Sequence, residues 1–267
     1  MIRKAKFRGM WYPFGSRDNE LITGSLSSNG NLCAAILPHA GLYYSGALIR
    51  SFFEKIDKKR VKVLIISPSH YYALPAGAII TSDFTFSETP FRDVPTCKAA
   101  ISGSIINDDV IQQEHGIEMF LPFIGKKGNM SVSYAVISSL QNASDAKEIA
   151  EKIAKIVDTE TALIASSDFT HYGPRFNYFP FGQNALKKVE QHDSEAANLL
   201  AENKGEEAYR AYCHSTICGI APASIVAEVA RIKGWQGSCG PHATSLDGKE
   251  KDENFVSYRT VFWRKNE

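Results

Sequence analysis

No stretch of this sequence approaches the ~20 consecutive apolar residues that a membrane-spanning helix needs. Met1-Ile2-Arg3-Lys4 leads into no apolar segment of the secretory kind, so a cytoplasmic protein without membrane contact is expected. Cysteine is sparse and scattered: Cys33, Cys97, Cys213, Cys218 and Cys239 include no C-x-x-C pair. That spacing indicates neither a zinc knuckle nor a disulfide framework, and it suits a reducing compartment. Charge of one sign is also lacking, with 30 basic against 29 acidic residues. A net charge of +1 gives no electrostatic reason to expect nucleic acid or an anionic membrane as partner. Short basic runs such as Lys58-Lys59-Arg60 read as solvated surface. There is no G-x-S-x-G, P-loop or G-x-G-x-x-G, so serine hydrolase, NTPase and dinucleotide chemistry find no support.

What is present is a soluble α/β pattern. The 267 residues are 44% hydrophobic and 22% charged, enough for a large core, and neither linker nor repeat interrupts them. One domain over residues 1–267 is expected. Leu32 to Leu37 is an apolar run of the length of a doubly buried strand, closed by Pro38. Gly41 and Gly46 then mark a turn with Ser45 as the expected N-cap, and Leu48, Phe52, Phe53 and Ile56 recur at helical spacing. His39 therefore stands at a strand's C-terminal end. Val61 to Ser67 repeats the arrangement and ends in Pro68-Ser69-His70, so both histidines are expected on one edge of neighbouring parallel strands. Thr161 to Ala165 is a third such strand and runs into Asp168-Phe169-Thr170-His171. That edge is where open α/β sheets bind ligands.

Further expected elements are strands at Ala76 to Thr81, Ser131 to Ile137 and Phe255 to Trp263, with a loop from Phe84 to Thr96. Helices are expected near 144–157, 183–203, 206–212 and 221–233. Glu114 to Phe123, read as helical, would put His115 and Glu118 on one face. Neutral imidazoles with a carboxylate are donors for iron, zinc or copper. His39 and His70 are the candidate metal ligands. Asp168 is a ligand or an orienting carboxylate for His171, and His115 is a candidate acid/base beside Glu114 and Glu118. The competing reading makes these separate turn-stabilising groups. Tyr43, Tyr44, Tyr71 and Tyr72 either line a pocket or pack in the core. His192, His214 and His242 carry no supporting pattern, and the adjacent Cys213-His214 pair reads as packing rather than a nucleophile.

Taken together, Pro38-His39-Ala40-Gly41, Tyr44-Ser45-Gly46, Pro68-Ser69-His70, Glu114-His115-Gly116-Ile117-Glu118 with Leu121-Pro122-Phe123, and Ser166 to Gly173 resemble the Memo family. Its microbial members are also called AmmeMemoRadiSam system protein B. Gly9 to Pro13 and Thr216-Ile217-Cys218-Gly219 are similar too, so the likeness runs over nearly the whole chain in the family's order. The resemblance implies a three-layer α/β/α domain with a largely parallel or mixed sheet, related to class III extradiol dioxygenases that use non-haem Fe(II). It implies His39 and His70 as ligands, with Asp168 and His171 in the same cleft. Animal members are described as metal-binding, redox-active and phosphopeptide-binding. Their cysteine ligand is expected shortly before the closing strand, a place that falls on Gly248, leaving Asp247 or Cys239 as substitutes or a site that binds metal weakly or stands empty. The serine expected after the Glu-His pair is Gly116, a change expected to touch only a helix contact.

The leading functional expectation is a metal-dependent redox enzyme, Fe(II) preferred and Zn or Cu also suited. It would act on a small molecule or within a modification pathway beside a radical SAM partner. The alternative is a non-catalytic protein that holds a small-molecule or peptide ligand, including a phosphopeptide, in the same cleft. A metal-dependent hydrolase is third.

Overall fold

The computed structural model describes residues 1–15, 22, 26, 30–246 and 253–266. The chain begins with β1 (Ile2–Arg3), β2 (Leu32–Leu37), α1 (Leu42–Lys55), β3 (Lys62–Pro68) and β4 (Ile79–Thr81). Short strands β5 (Phe86–Ser87), β6 (Val94–Pro95) and β7 (Ile105–Ile106) follow, then helices α2 (Asp108–Gln113), α3 (His115–Glu118) and α4 (Leu121–Lys127). Next come β8 (Ser131–Ile137), α5 (Asp145–Ile156), β9 (Thr161–Ser166) and β10 (His171–Tyr172). Helices α6 (Ala185–Ala201), α7 (Gly205–Tyr212) and α8 (Ile220–Lys233) lead to β11 (Gln236–Thr244) and β12 (Phe255–Arg264).

Among the described residues, nine strands form one sheet in the order β10-β12-β2-β9-β3-β8-β4-β7, with β11 paired to β12. The centre, β2-β9-β3-β8, is parallel, and β12 and β4 flank it antiparallel. The strands that carry His39 and His70 share an edge, but they are not neighbours: β9 lies between them. β5 and β6, inside the stretch expected to be loop, form a separate small sheet with β1.

Strand alternation divides the core. Ala34, Ile36, Leu64, Ile66, Leu163 and Ala165 face one side, against Ile149 and Ile153 of α5, Leu200 of α6 and Ile225 and Val229 of α8. Ala35, Leu37, Val63, Ile65 and Ile164 face the other, against Ile49, Phe52 and Phe53 of α1 and Phe123 of α4. Burial on both faces is why these strands read as continuous apolar runs, and the result is three layers, α/β/α.

Two local expectations change, and one strand was not expected. Helix α1 starts at Leu42 with Gly41 as its cap residue, so Ser45 lies inside it. There the Ser45 hydroxyl donates to the Ala40 carbonyl, 2.7 Å, and ties the first turns to the loop that carries His39. The expected helix over Glu114–Phe123 is broken into α3 and α4. Strand β11 carries Gly237, Gly240 and Pro241 and shows no strand-like pattern. It pairs along β12 with a register shift between Cys239 and His242, the kind of irregular position a sheet grants to proline. No helix among the described residues is long and apolar enough to cross a membrane.

Candidate metal centre

The parallel register places Leu37, the last residue of β2, opposite Ser166, the last residue of β9. The loops that follow therefore leave the sheet together. Asp168 Oδ1 accepts from the backbone N–H of His39 (2.8 Å) and of Ala40 (3.3 Å), so the carboxylate on β9's loop shapes the loop on β2. The Phe169 amide donates to Ser257 O and the Ser257 amide to Thr170 O, both 2.9 Å, which pins the same loop to β12.

Three imidazoles converge above this edge. The ring centroids of His39 and His70 are 4.8 Å apart, those of His39 and His115 5.0 Å, and those of His70 and His115 4.2 Å. Each ring offers a nitrogen, and the three nitrogens lie within 4.8 Å of one another. Two nitrogens bound at ~2.1 Å to one tetrahedral ion are ~3.4 Å apart, so binding an ion would draw the widest pair together by up to about 1.4 Å.

Hydrogen bonding decides which nitrogens are offered. Ser166 Oγ is 2.6 Å from Gly116 O, a pure acceptor, so the hydroxyl proton is committed there. Ser166 Oγ must then accept from His39 Nδ1, also at 2.6 Å, and His39 Nε2 keeps its lone pair. His70 Nδ1 is 2.7 Å from Glu114 Oε1, which only accepts while ionised, so the neutral form of this ring carries its proton on Nδ1 and presents a bare Nε2. His171 Nδ1 donates to the Thr216 carbonyl at 2.9 Å, with the same consequence. An oxygen behind each ring that fixes the tautomer is the usual arrangement behind metal-binding histidines. His115 Nδ1 meets the Tyr71 hydroxyl at 3.0 Å, and either atom can donate.

A residue absent from the expected ligands lies beside the cluster. Cys218 Sγ lies 3.2 Å from His39 Nε2, close to the ~3.5 Å between a thiolate and an imidazole on one ion. Its loop precedes α8, and Gly219 lets that loop lie against β9: a Cβ there would overlap the Ser166 carbonyl and the Ser167 side chain. The thiol was visible in the Thr216-Ile217-Cys218-Gly219 match, but only tertiary structure brings it to His39. Of the substitutes considered, Cys239 bonds Asn198 and does not line the cleft, while Asp247 and Gly248 lie outside the described residues.

Burial sets the electrostatics. It pushes His39 well below the usual imidazole range, helped by His70 and His115, and it lowers His115 to about 3, helped by His70. Both rings are therefore neutral at pH 7. Burial and then the Asp168 charge push the Cys218 thiol well above its ordinary value, so without metal it is an S–H donor to His39 Nε2. Burial raises Asp168 too, against the pull of His171. The cleft, about 780 Å³, is lined by these groups and by Trp11, Tyr43, Tyr44, Arg175, Phe176 and Tyr258. Tyr43 and Tyr44 are exposed cleft wall rather than core, while Tyr71 and Tyr72 stand open to solvent outside that lining.

Asp168 and His171 line the same cleft, but their hydrogen bonds run to the His39 turn and to Thr216 rather than to each other. Glu118, one turn from His115, points away into the core and takes four donors: Arg3 Nη1, Tyr12 Oη and the amides of Lys6 and Phe7. His192 bonds Asp193 outside the cleft.

The model of the Memo-like protein family matches residues 3–262, nearly the entire chain. This chain belongs to the Memo-like family. Similar curated proteins include "Protein MEMO1" of Xenopus laevis, 26% identical over 255 residues, covering 86% of this chain and 84% of that protein. "Protein MEMO1" of Homo sapiens is 25% identical over 251 residues, covering 85% and 83%. "Protein memo-1 homolog" of Caenorhabditis elegans is 28% identical over 252 residues, covering 85% and 71%. Family membership agrees with the three-layer fold and with a histidine cluster that could hold a metal ion.

Proposed function

We propose that this Memo-like protein is a metal-dependent redox enzyme whose metal is held by His39, His70 and His115, with Cys218 as a fourth donor and iron(II) as the preferred ion. The observation that carries this reading is the set of oriented rings: His39 and His70 are each held through Nδ1, and His39 Nε2 faces the half-buried Cys218 thiol. Three imidazoles and one sulfur suit iron, zinc or copper rather than calcium or magnesium. A cation there would also reverse the burial effect on Cys218 and favour the thiolate. Iron bound at this position would supply electron transfer to a ligand in the cleft.

The chain's own groups account for the rest. His171 directs a bare Nε2 from a ring fixed on Thr216, so it can take a proton from a ligand hydroxyl. Asp168 keeps the His39 turn in shape. Trp11, Tyr44, Phe176 and Tyr258 offer aromatic walls, and Arg175 offers a cation, to a small molecule or peptide side chain. A role in a modification pathway beside a radical SAM enzyme is part of the same proposal. The exposed aromatic wall favours one alternative, a protein that binds its ligand in this cleft without turnover.

Anaerobic Fe(II) titration followed by oxygen-uptake measurements tests the reading. His39→Ala, His70→Ala and Cys218→Ser should each weaken Fe(II) binding tenfold or more while circular dichroism stays native. Affinity unchanged in all three would overturn the metal centre. Fe(II) bound normally, with no ligand-dependent oxygen uptake, would leave the binding protein as the better description.

A further inference from the structure

Glu114 contributes no atom to the cleft, yet it touches two of the three imidazoles from behind. Its side chain is buried, and its oxygens are fully engaged. Oε1 takes the His70 ring Nδ1–H at 2.7 Å and the Gly116 amide at 2.9 Å, and Oε2 takes the His70 backbone amide at 2.9 Å. His115 Nδ1 stands 3.5 Å from Oε1. Capping α3 requires only the bond to Gly116, since one side-chain oxygen at an N-cap satisfies one orphan amide. The two bonds to His70 exceed that task. They cross 44 residues of sequence and join the loop after β3 to the cap residue of the helix that carries His115. A buried carboxylate is costly unless its lone pairs are occupied, and here three donors occupy them.

We infer that Glu114 is a positioning residue: its carboxylate holds His70 as the Nδ1–H tautomer and fixes His70 against His115, so one side chain prepares two imidazoles for the metal. The inference rests on the metal reading above for its purpose, but not for its geometry. An acceptor-only group is essential to it. Glutamine has the same shape but a single acceptor oxygen, which cannot face both the His70 amide and the pair formed by the His70 ring and Gly116 amide. When the amide NH₂ faces the ring, His70 gains by moving its proton to Nε2, the nitrogen the metal needs bare. Aspartate keeps the charge and the helix cap, but it is one methylene too short to reach both His70 groups.

The test uses the full chain as E114Q and E114D, with E207Q as a control that removes one charge from an exposed position of α7. Long-range proton–nitrogen correlation spectra of the metal-free protein read the His70 tautomer. Zn(II) titration in competition with a chromophoric chelator reads affinity. The wild type and E207Q should show His70 with its proton on Nδ1. E114Q and E114D should show a mixture or the Nε2–H form and bind Zn(II) ten- to a hundredfold more weakly. E114D, which retains the cap, serves if E114Q fails to fold. A wild-type His70 already protonated on Nε2 would overturn the inference. So would an unchanged tautomer in both variants, or affinities within twofold of wild type. If the wild-type protein binds no Zn(II) or Fe(II) at all, the metal reading fails, and the tautomer spectra alone decide whether Glu114 positions His70.

Discussion

Two serines and one glutamate do at the residue scale what the histidines cannot do alone. Ser166 and Glu114 place the protons of His39 and His70 on the side away from the cleft, and Ser45 ties α1 to the His39 loop. The same burial that keeps the rings neutral makes them sensitive to acid. His115 titrates near 3 in the fold and near ~6.5 in an unfolded chain. Above pH ~6.5 both states are neutral at this site, and it contributes no pH dependence. Between those values only the unfolded chain takes the proton, so stability falls as pH falls, by up to about 1.4 kcal/mol per pH unit. Urea melts in EDTA at pH 7 and pH 4.5 should show a smaller loss for His115→Gln than for the wild type. Equal losses would mean that the ring is solvated in the folded state.

Close approach governs the short helix α3. Gly116 leaves no space for a side chain: a Cβ would overlap the Ser67 hydroxyl and press on Ser166 Oγ and Glu114 Oε1. The glycine therefore does more than alter a helix contact, because the atoms it would displace are those that orient His39 and His70. Gly116→Ser should cost about 1–3 kcal/mol in urea unfolding, the range for an overpacked core, and should weaken metal binding as well. A serine tolerated with both properties unchanged would show that α3 can shift away from the sheet without consequence for the site.

The whole molecule closes its cleft with its own N-terminal segment. Glu118 receives Arg3, Tyr12 and two amides of that segment, and the Leu42 amide donates to Trp11 O at 2.9 Å. The Trp11 ring thereby lies 4.5 Å from the His115 ring and becomes part of the cleft wall. Arg3 and Glu118 are both fully buried, so removing one leaves the other charged and unpaired. Glu118→Ala should destabilise the fold by about 3–5 kcal/mol, read as a lowered urea midpoint with an unchanged slope. A loss below about 1 kcal/mol would mean that water replaces the missing carboxylate and that the segment is only loosely held.

Apolar runs that end in Pro38-His39, in Pro68-Ser69-His70 and in Asp168-Phe169-Thr170-His171 determined by themselves that three buried strands deliver polar groups to one sheet edge. The period of those runs is local, and strands buried on both faces admit few other patterns. The same residues carried the family, which nearly the whole chain now shows. Strand order was not legible, because hydrogen bonding between β2, β9 and β3 joins residues more than a hundred positions apart in one pair and leaves no local trace. Neither was β11, whose glycines and proline are tolerated only because β12 supplies its partner. The ligand cluster was half legible. His39 and His70 follow strands, whereas His115 sits on a four-residue helix and Cys218 on a loop before α8, and both reach the cleft through packing between distant segments. The sequence alone settled which residue types gather at the edge. Only the tertiary structure decided which nitrogen each ring presents, because the deciding atoms are hydrogen-bond acceptors on other strands and helices: Ser166, Gly116 O, Glu114 and Thr216 O.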